Sequence, residues 1–176
     1  MHVVGFAGYS GIGKTTLIER LVGQLGAAGQ RVSVIKHAHH GFEIDRPGKD
    51  SWRHRKAGAH EVLVASPRLL ALQRETPAPT DYRVRDLLTL LDPVDWVLVE
   101  GYKQEPIPKI EVWREAAGKP AWYPGDPLVR AIATDTQSRL PQATALPRLD
   151  LDDPQAVADW LLAHRPLFEV SDEPSS

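Results

Sequence analysis

The stretch GYSGIGKTT, residues 8–16, lies a few residues into the chain and determines the class of fold. It matches the pattern G-x-x-x-x-G-K-[ST] in full, from Gly8 to Thr15. Glycines let the backbone curl so that consecutive N–H groups point inward, and the positive end of a helix dipole attracts an anion. In such a loop the lysine, here Lys14, reaches the β- and γ-phosphates of a nucleotide, and the hydroxyl of Thr15 can ligate Mg²⁺. The stretch therefore predicts a loop that binds nucleotide phosphates.

The residues on both sides of this loop agree with that prediction. Residues 3–7 form a short apolar run, which predicts a strand entering the loop. After the loop, apolar residues recur at i, i+1, i+4, i+5 and i+8, the spacing of one helix face, and Gly26 and Gly29 supply a stop. Strand, loop and helix thus stand in the required order, which argues against a chance glycine-rich turn. The apolar helix positions are Leu17, Ile18, Leu21, Val22 and Leu25.

Length and composition limit the classes of protein to which this chain can belong. A chain of 176 residues is enough for one domain, and we predict a single P-loop nucleotide-binding domain at 1–168 with a frayed acidic tail at 169–176. The absence of cysteine excludes disulfides, thiolate zinc sites and cysteine nucleophiles. A net charge of −2 without a basic block argues against a nucleic-acid partner. No leader or membrane-length apolar run is evident, so we expect a soluble, cytoplasmic protein.

The rest of the chain alternates apolar strand patterns with helical periodicity. This alternation predicts an α/β protein, the three-layer P-loop NTPase fold, with a mostly parallel sheet that binds ligands at the carboxyl ends of its strands. Two apolar runs within 62–74 break the alternation and predict an additional β-hairpin, a sheet edge or a dimer contact. The proline-rich stretch KPAWYPGDP, 119–127, predicts a loop or lid. Predicted strands are 32–35, 62–65, 69–73, 96–100, 109–113 and 129–134, and predicted helices are 15–27, about 50–57, 84–91 and 154–164.

A carboxylate at the end of a second buried strand would complete a nucleotide site. The stretch DWVLVEGYK supplies one, because the apolar residues 96–99 end at Glu100, and Gly101 then permits close approach of the backbone. Glu100 can hold a Mg²⁺-bound water or orient an attacking water. The alternative is a carboxylate that only caps a turn. We predict the metal role for Glu100.

The stretch 36–59 is the densest in polar chemistry. His37, His39 and His40 suggest zinc, but H-x-H-H on a loop lacks the helical i, i+4 spacing of a dedicated site and has no cysteine to complete it. Contact with phosphate or substrate, or hydrogen bonding within the loop, is the favoured interpretation. Asp45 and Asp50 follow the second strand, where a switch-like segment would bring a carboxylate towards the Mg²⁺ of a γ-phosphate or its water. The alternative for Asp50 is the N-cap of helix 50–57, and both roles stay open.

Several motifs beyond the P-loop give the sequence a specific resemblance. These motifs fall in the same order along residues 3 to 135 as those of the molybdopterin-guanine dinucleotide biosynthesis protein B family (MobB), which the chain therefore resembles. The resemblance implies a GTP-binding protein, usually dimeric, that assists the attachment of GMP to molybdopterin beside a separate guanylyltransferase. It also implies slow Mg²⁺-dependent GTP hydrolysis at most. The motifs are GYSGIGKTT, IKHAHHGFEID, RPGKDSWRHRKAGA, VAS, ET, VLVEGYK, PKIEVWR and AIATD.

The resemblance also assigns roles to residues. Thr15 and Glu100 would manage Mg²⁺, and Asp135, in the ATD that follows a late strand, would lie near the guanine. The usual N-K-x-D guanine signature is missing, so the preference for guanine rests on Asp135, whose alternative role is a cap or turn former. Related dimeric P-loop ATPases carry an extra lysine early in this loop, whereas this chain has Tyr9 and Ser10 at those positions. We therefore expect no P-loop lysine that acts in trans. By the resemblance, the phosphate-binding set would be Gly11, Gly13, Lys14, Thr15 and Thr16. From the residues themselves we predict Lys14, Glu100 and Asp50 as the catalytic set.

Two other classes of function remain open from the sequence. A small-molecule kinase would use the same P-loop to pass a phosphoryl group to a bound hydroxyl, with Asp45 as a base. A nucleotide-dependent metal-delivery chaperone would use the histidines. No obvious arginine finger is present, although Arg46, Arg53 and Arg55 could act in cis or in trans.

Overall fold

The computed structural model describes residues 1–38, 41–135 and 138–170, which form two compact units. The main unit comprises Met1–His37 and Arg83–Ser176, and the insert comprises Ala38–Tyr82. His39, His40 and positions 171–176 of the predicted tail lie outside the described residues. The elements, in chain order, are β1 His2–Ala7, α1 Lys14–Ala27, β2 Val32–Lys36, α2 Asp50–Lys56, β3 Glu61–Ala65, β4 Leu70–Arg74, α3 Val84–Leu88, β5 Trp96–Glu100, β6 Lys109–Val112, β7 Val129–Thr134, β8 Arg148–Asp150 and α4 Pro154–Ala163.

The main unit is built on one parallel sheet with the strand order β2-β5-β1-β6-β7-β8. Every neighbouring pair in it is parallel, and the register sets Phe6 and Lys36 beside Glu100, and Ala7 beside Glu111. The carboxyl ends of all these strands therefore meet at one edge of the sheet. The loops that leave this edge carry the residues of the site described below.

Apolar clusters cover both faces of this sheet. On one face α1 and α4 pack against β1, β5, β6 and β7, with Leu17, Leu21 and Leu25 of α1 almost fully buried. On the other face α3 contributes Val84 to a smaller cluster with Val97 and residues nearby. Burying a leucine or valine side chain contributes roughly 1.5–3 kcal/mol. Leu17, Ile18, Leu21 and Leu25 of the predicted apolar face thus meet the core and fix the helix directly behind the glycine loop, whereas Val22 is 36% exposed.

The insert contains α2 and a two-stranded antiparallel sheet of β3 and β4. The register pairs Leu63 with Leu72 and Ala65 with Leu70, so these residues share one face of the hairpin. Leu63, Leu70 and Leu72 are more than half exposed. Val62, on the opposite face, is buried.

The predicted fold class is confirmed, as an α/β P-loop architecture with a mostly parallel sheet and an additional hairpin. The sequence missed β8, because a strand of only three residues leaves too short a pattern. Helix α3 ends at Leu88 rather than at 91, where a turn continues the chain. Among the described residues no helix is both long and apolar enough to cross a membrane.

Candidate functional site

The glycine loop joins β1 to α1 at the carboxyl edge of the sheet. Gly8 has a φ of 148°, and a Cβ there would lie 2.6 Å from the carbonyl oxygen of Val112, so no other residue fits without moving backbone. Gly11 and Gly13 also have positive φ values, and Gly13 precedes the first residue of α1. Helix α1 carries no acidic residue in its first turn. The loop therefore presents a helix N-terminus without a competing carboxylate from its own first turn.

Lys14 folds back over this loop. Its Nζ donates to the carbonyl oxygens of Gly8 at 2.9 Å and Tyr9 at 2.7 Å. Partial burial lowers the pKa of Lys14, Glu100 nearby raises it, and Lys36 lowers it further. The ammonium group is thus held at the loop, where phosphate oxygens would compete with two neutral carbonyls for a cation.

Thr15, Glu100 and Lys36 form the second part of the site. The Thr15 hydroxyl donates to Glu100 Oε1 at 2.6 Å, and Lys36 Nζ lies 3.2 Å from Glu100 Oε2. The Glu100 side chain is only 13% exposed. Neighbouring strands bring these residues together, since Lys36 and Glu100 are in register at the ends of β2 and β5. A hydroxyl and a carboxylate oxygen at this separation are oxygen ligands of the kind that Mg²⁺ takes.

Gly101 explains how Glu100 reaches this position. Its φ is 91°, and a Cβ on it would lie 2.7 Å from His37 Cβ, so the chain after β5 passes too close to the chain after β2 for any side chain. The ring of His37 stacks on that of Tyr102, with centroids 4.6 Å apart. Among the described residues no group of three or more histidine or acidic side chains could hold a metal ion. His39 and His40 lie outside the described residues, so the zinc interpretation gains no support there.

The Asp135 side chain follows β7 and accepts three hydrogen bonds within a small network. Oδ1 accepts from the backbone N–H and the hydroxyl of Ser138, at 2.9 and 2.6 Å, and Oδ2 accepts from Arg114 at 2.9 Å. Arg114 also bonds the carbonyl oxygen of Ile12 in the glycine loop at 3.4 Å. Hydrogen bonds from Ser138 and then from Arg114 hold the pKa of Asp135 below its ordinary value.

Arg114 is the main residue that the sequence analysis missed. It links Asp135 and Asp152 to the glycine loop, and it stands in the motif PKIEVWR. Its position directly after the predicted strand 109–113 was the available signal, because side chains at strand ends meet at one edge of a parallel sheet. Asp135 shows the turn contacts of its alternative role, and its proposed contact with a base stays a prediction.

The insert holds the two acidic candidates in different surroundings. The Asp45 side chain is 5% exposed and accepts from Gln73, Ser51 and Arg55. The bond from Gln73 contributes most to lowering the pKa of Asp45. Asp50 is 92% exposed, and the N-cap position belongs to Lys49.

Arg55 is the centre of the ion pairs inside the insert. It contacts Glu43, Asp45 and Glu75 while its side chain is 12% exposed, and its pKa is raised, most of all by the bond to Glu75. Three carboxylates already surround this guanidinium, which leaves Arg46 and Arg53 as the more available arginine-finger candidates. Asp45 and Arg55 therefore stabilise the insert itself.

Comparison with known proteins places the chain among similar sequences and structures. The sequence model described as "Molybdopterin guanine dinucleotide synthesis protein B" (MobB) matches residues 3–135. A molybdopterin-guanine dinucleotide biosynthesis adapter protein of Haemophilus influenzae is 43% identical over 162 residues, covering 90% of this chain and 86% of that protein. Its Escherichia coli counterpart of the same name is 40% identical over 163 residues, covering 91% of each.

Solved structures agree with the sequence comparisons. The crystal structure of a MobB protein homolog from Bacillus stearothermophilus has a TM-score of 0.70 and 30% identity, and the match covers 94% of this chain and 99% of that one. The crystal structure of Bacillus subtilis MobB has a TM-score of 0.72 and 26% identity over 97% of this chain and all of that one. The similarity thus extends over both units of the chain.

Proposed function

Since the chain belongs to the molybdopterin guanine dinucleotide synthesis protein B family, we propose that it is an adapter in molybdopterin guanine dinucleotide biosynthesis that binds GTP at its P-loop. It would assist a separate guanylyltransferase in joining GMP to molybdopterin. The observation that carries this proposal is the meeting of Lys14, Thr15 and Glu100 at one edge of the sheet. The names of the relatives indicate the biosynthetic pathway, and the residues of the site indicate nucleotide binding.

The residues of the site fit a magnesium nucleotide. Thr15 and Glu100 would hold Mg²⁺, which neutralises charge on phosphate oxygens when bound. Gly11, Gly13, Lys14 and Thr16 would supply the phosphate contacts, because they form the loop and the first turn of α1. Glu100 would position the metal or a water for slow hydrolysis, while Lys36 holds the carboxylate in place.

Nucleotide and product analysis tests the proposal. Molybdopterin guanine dinucleotide should form faster from GTP and molybdopterin when this chain is added to a guanylyltransferase, and calorimetry should show GTP bound by the chain alone. Transfer of labelled γ-phosphate to a cofactor precursor would instead establish the kinase. Stoichiometric Zn²⁺ or Ni²⁺ binding at micromolar metal would favour the metal chaperone. No acceleration and no GTP binding would contradict the adapter role.

We expect Asp135→Asn to change the choice of base. A carboxylate accepts both N1–H and the 2-amino group of guanine, whereas an asparagine amide turns one acceptor into a donor. GTP affinity should fall by on the order of 2–3 kcal/mol, and xanthosine triphosphate should gain relative to GTP. Competition titrations with GTP, ATP and xanthosine triphosphate measure this. An unaltered order of preference would leave Asp135 as the turn residue whose contacts with Ser138 the structure shows.

We also propose that the protein is a homodimer joined through the hairpin. Among the described residues the hairpin is a sheet of two strands with open edges, and three exposed leucines lie on one of its faces, so it can pair with a second copy around a twofold axis. Leu70→Glu with Leu72→Glu should therefore give the monomeric mass in light scattering at tens of micromolar. Leu90→Glu is the matched control, because Leu90 is 64% exposed outside the hairpin. A monomeric wild-type protein with GTP present would refute the interface.

A further inference from the structure

A second concave site lies in the main unit beside the glycine loop. It is a cavity of about 400 Å³, a size typical of small-molecule sites. Ala7, the last residue of β1, lines it directly before the loop begins. The other lining residues include Lys103, Gln104, Trp122, Gly125 and Asp126. None of these residues belongs to the magnesium and phosphate contacts proposed above.

One wall of this cavity is an aromatic stack that reaches into the glycine loop. The ring of Trp122 stacks on that of Tyr9, with centroids 4.8 Å apart and planes inclined by 23°. Lys103 Nζ lies 5.0 Å from the centroid of the Trp122 ring, and Lys119 Nζ lies 5.8 Å from that of Tyr9. Aromatic side chains favour offset-stacked or edge-to-face contacts with other planar rings. Of the two lysines, only Lys103 lines the cavity.

The loop that carries Trp122 is held by buried charges on β6. Glu111 is 1% exposed and accepts from the backbone N–H groups of Trp122 and Tyr123, at 2.8 and 2.7 Å. Lys109 Nζ, also buried, pairs with Asp126 at 3.1 Å. Burial raises the pKa of Glu111, and the two N–H bonds act in the opposite direction. A buried charge is costly unless it is paired, so Glu111 and Lys109 keep their partners in the predicted 119–127 loop. These contacts hold this part of the loop in place before any ligand binds.

The charges of the cavity indicate an anionic ligand. Among the described residues Lys103 has no carboxylate partner, and its ammonium lies against a ring face, where an anion could reach it. The Asp126 carboxylate is already paired with Lys109 and bonded to the N–H of Leu128. The uncompensated charge at this wall is therefore positive. A planar ring with an anionic group matches an indole wall next to an ammonium group.

We propose that this cavity binds the pterin half of the dinucleotide, with its ring against Trp122 and its anionic group at Lys103. The inference rests on the proposed function, because the family name specifies a dinucleotide in which a pterin and a guanine nucleotide are joined. The glycine loop would hold the nucleotide half, and Tyr9 would stand between the two sites. An adapter built in this way holds both halves of the product on one protein.

Pterin-6-carboxylate is a suitable probe, because it is planar, anionic and fluorescent. It should bind the wild-type protein saturably below about 1 mM, the range where weak specific sites are measurable. Lys103→Met and Trp122→Leu should each raise its Kd by about tenfold or more. Lys119→Met is the matched control, since it removes a similar lysine that lies over a ring but outside the cavity. This control should bind the probe within twofold of the wild type.

The same variants separate this inference from the proposed function. Each is also titrated with GTP, and the Kd for GTP should stay within twofold of the wild type, which shows that the loop is intact. If the wild type fails to bind the probe, or if Lys103→Met and Lys119→Met weaken it equally, the cavity assignment is wrong. If the probe binds as expected but GTP does not bind, the cavity stands and the nucleotide proposal fails.

Discussion

Lys14→Ala should abolish GTP binding without unfolding the domain. Lys14 Nζ lies at the glycine loop, where it donates to the carbonyl oxygens of Gly8 and Tyr9. The substitution removes charge-assisted bonds to phosphate oxygens, and we expect an increase in Kd of at least about 100-fold, close to 3 kcal/mol. Isothermal titration calorimetry measures the affinity, and circular dichroism follows the thermal transition.

The fold should tolerate this change. The apolar side chains of α1 that form the core, Leu17, Leu21 and Leu25, are untouched, and alanine is a good helix former at the first position of α1. Lys119→Ala removes a nearby lysine with no contact to the loop carbonyls and should bind GTP like the wild type. GTP binding by Lys14→Ala within twofold of the wild type would show that the loop is not a phosphate site.

Glu100→Gln should reduce GTP hydrolysis far more than GTP affinity. The Glu100 carboxylate accepts a hydrogen bond from Thr15 and pairs with Lys36. A glutamine amide would keep the size of this side chain but would remove its negative charge. Loss of a charge that acts on metal or attacking water typically costs on the order of 100-fold in turnover. The Kd for GTP should change by only a few-fold, because Lys14 and the loop backbone remain.

Single-turnover hydrolysis at several Mg²⁺ concentrations tests this expectation. The variant should also need more Mg²⁺ to reach half of its maximal rate. Glu19→Gln is the matched control, because it removes an exposed carboxylate from α1 without touching the site. An unchanged turnover rate in Glu100→Gln would assign the carboxylate to holding Thr15 and the turn at Gly101.

Much of the main unit was predictable because its signals are local. The glycine motif, the apolar periodicity of α1 and the apolar run that ends at Glu100 each depend on neighbouring residues in the chain. Backbone geometry fixes these periods at 3.6 and 2, so the pattern alone shows which elements form. The alternation of strands and helices then predicts a parallel sheet whose carboxyl ends carry the site.

Contacts between residues far apart in the chain were decided by tertiary structure. Strand order sets Lys36 beside Glu100, and the loop after β6 brings Arg114 to both Ile12 and Asp135. No local pattern encodes such a pairing, because it depends on which strands become neighbours. The same holds for Asp45, which its sequence position suggested as a switch and which the fold of the insert surrounds with hydrogen-bond donors.

The sequence by itself determined the glycine loop, the class of fold and the family, since each rests on residue types in a fixed local order. Tertiary structure alone decided which charges meet. It placed Glu111 and Lys109 of β6 in the protein interior, where they hold the chain around Trp122 and shape a cavity beside the loop. Burial is the physical reason. From sequence alone a charged side chain is expected at the surface, and it can hold a neighbouring loop only when the fold removes it from water and supplies its partner.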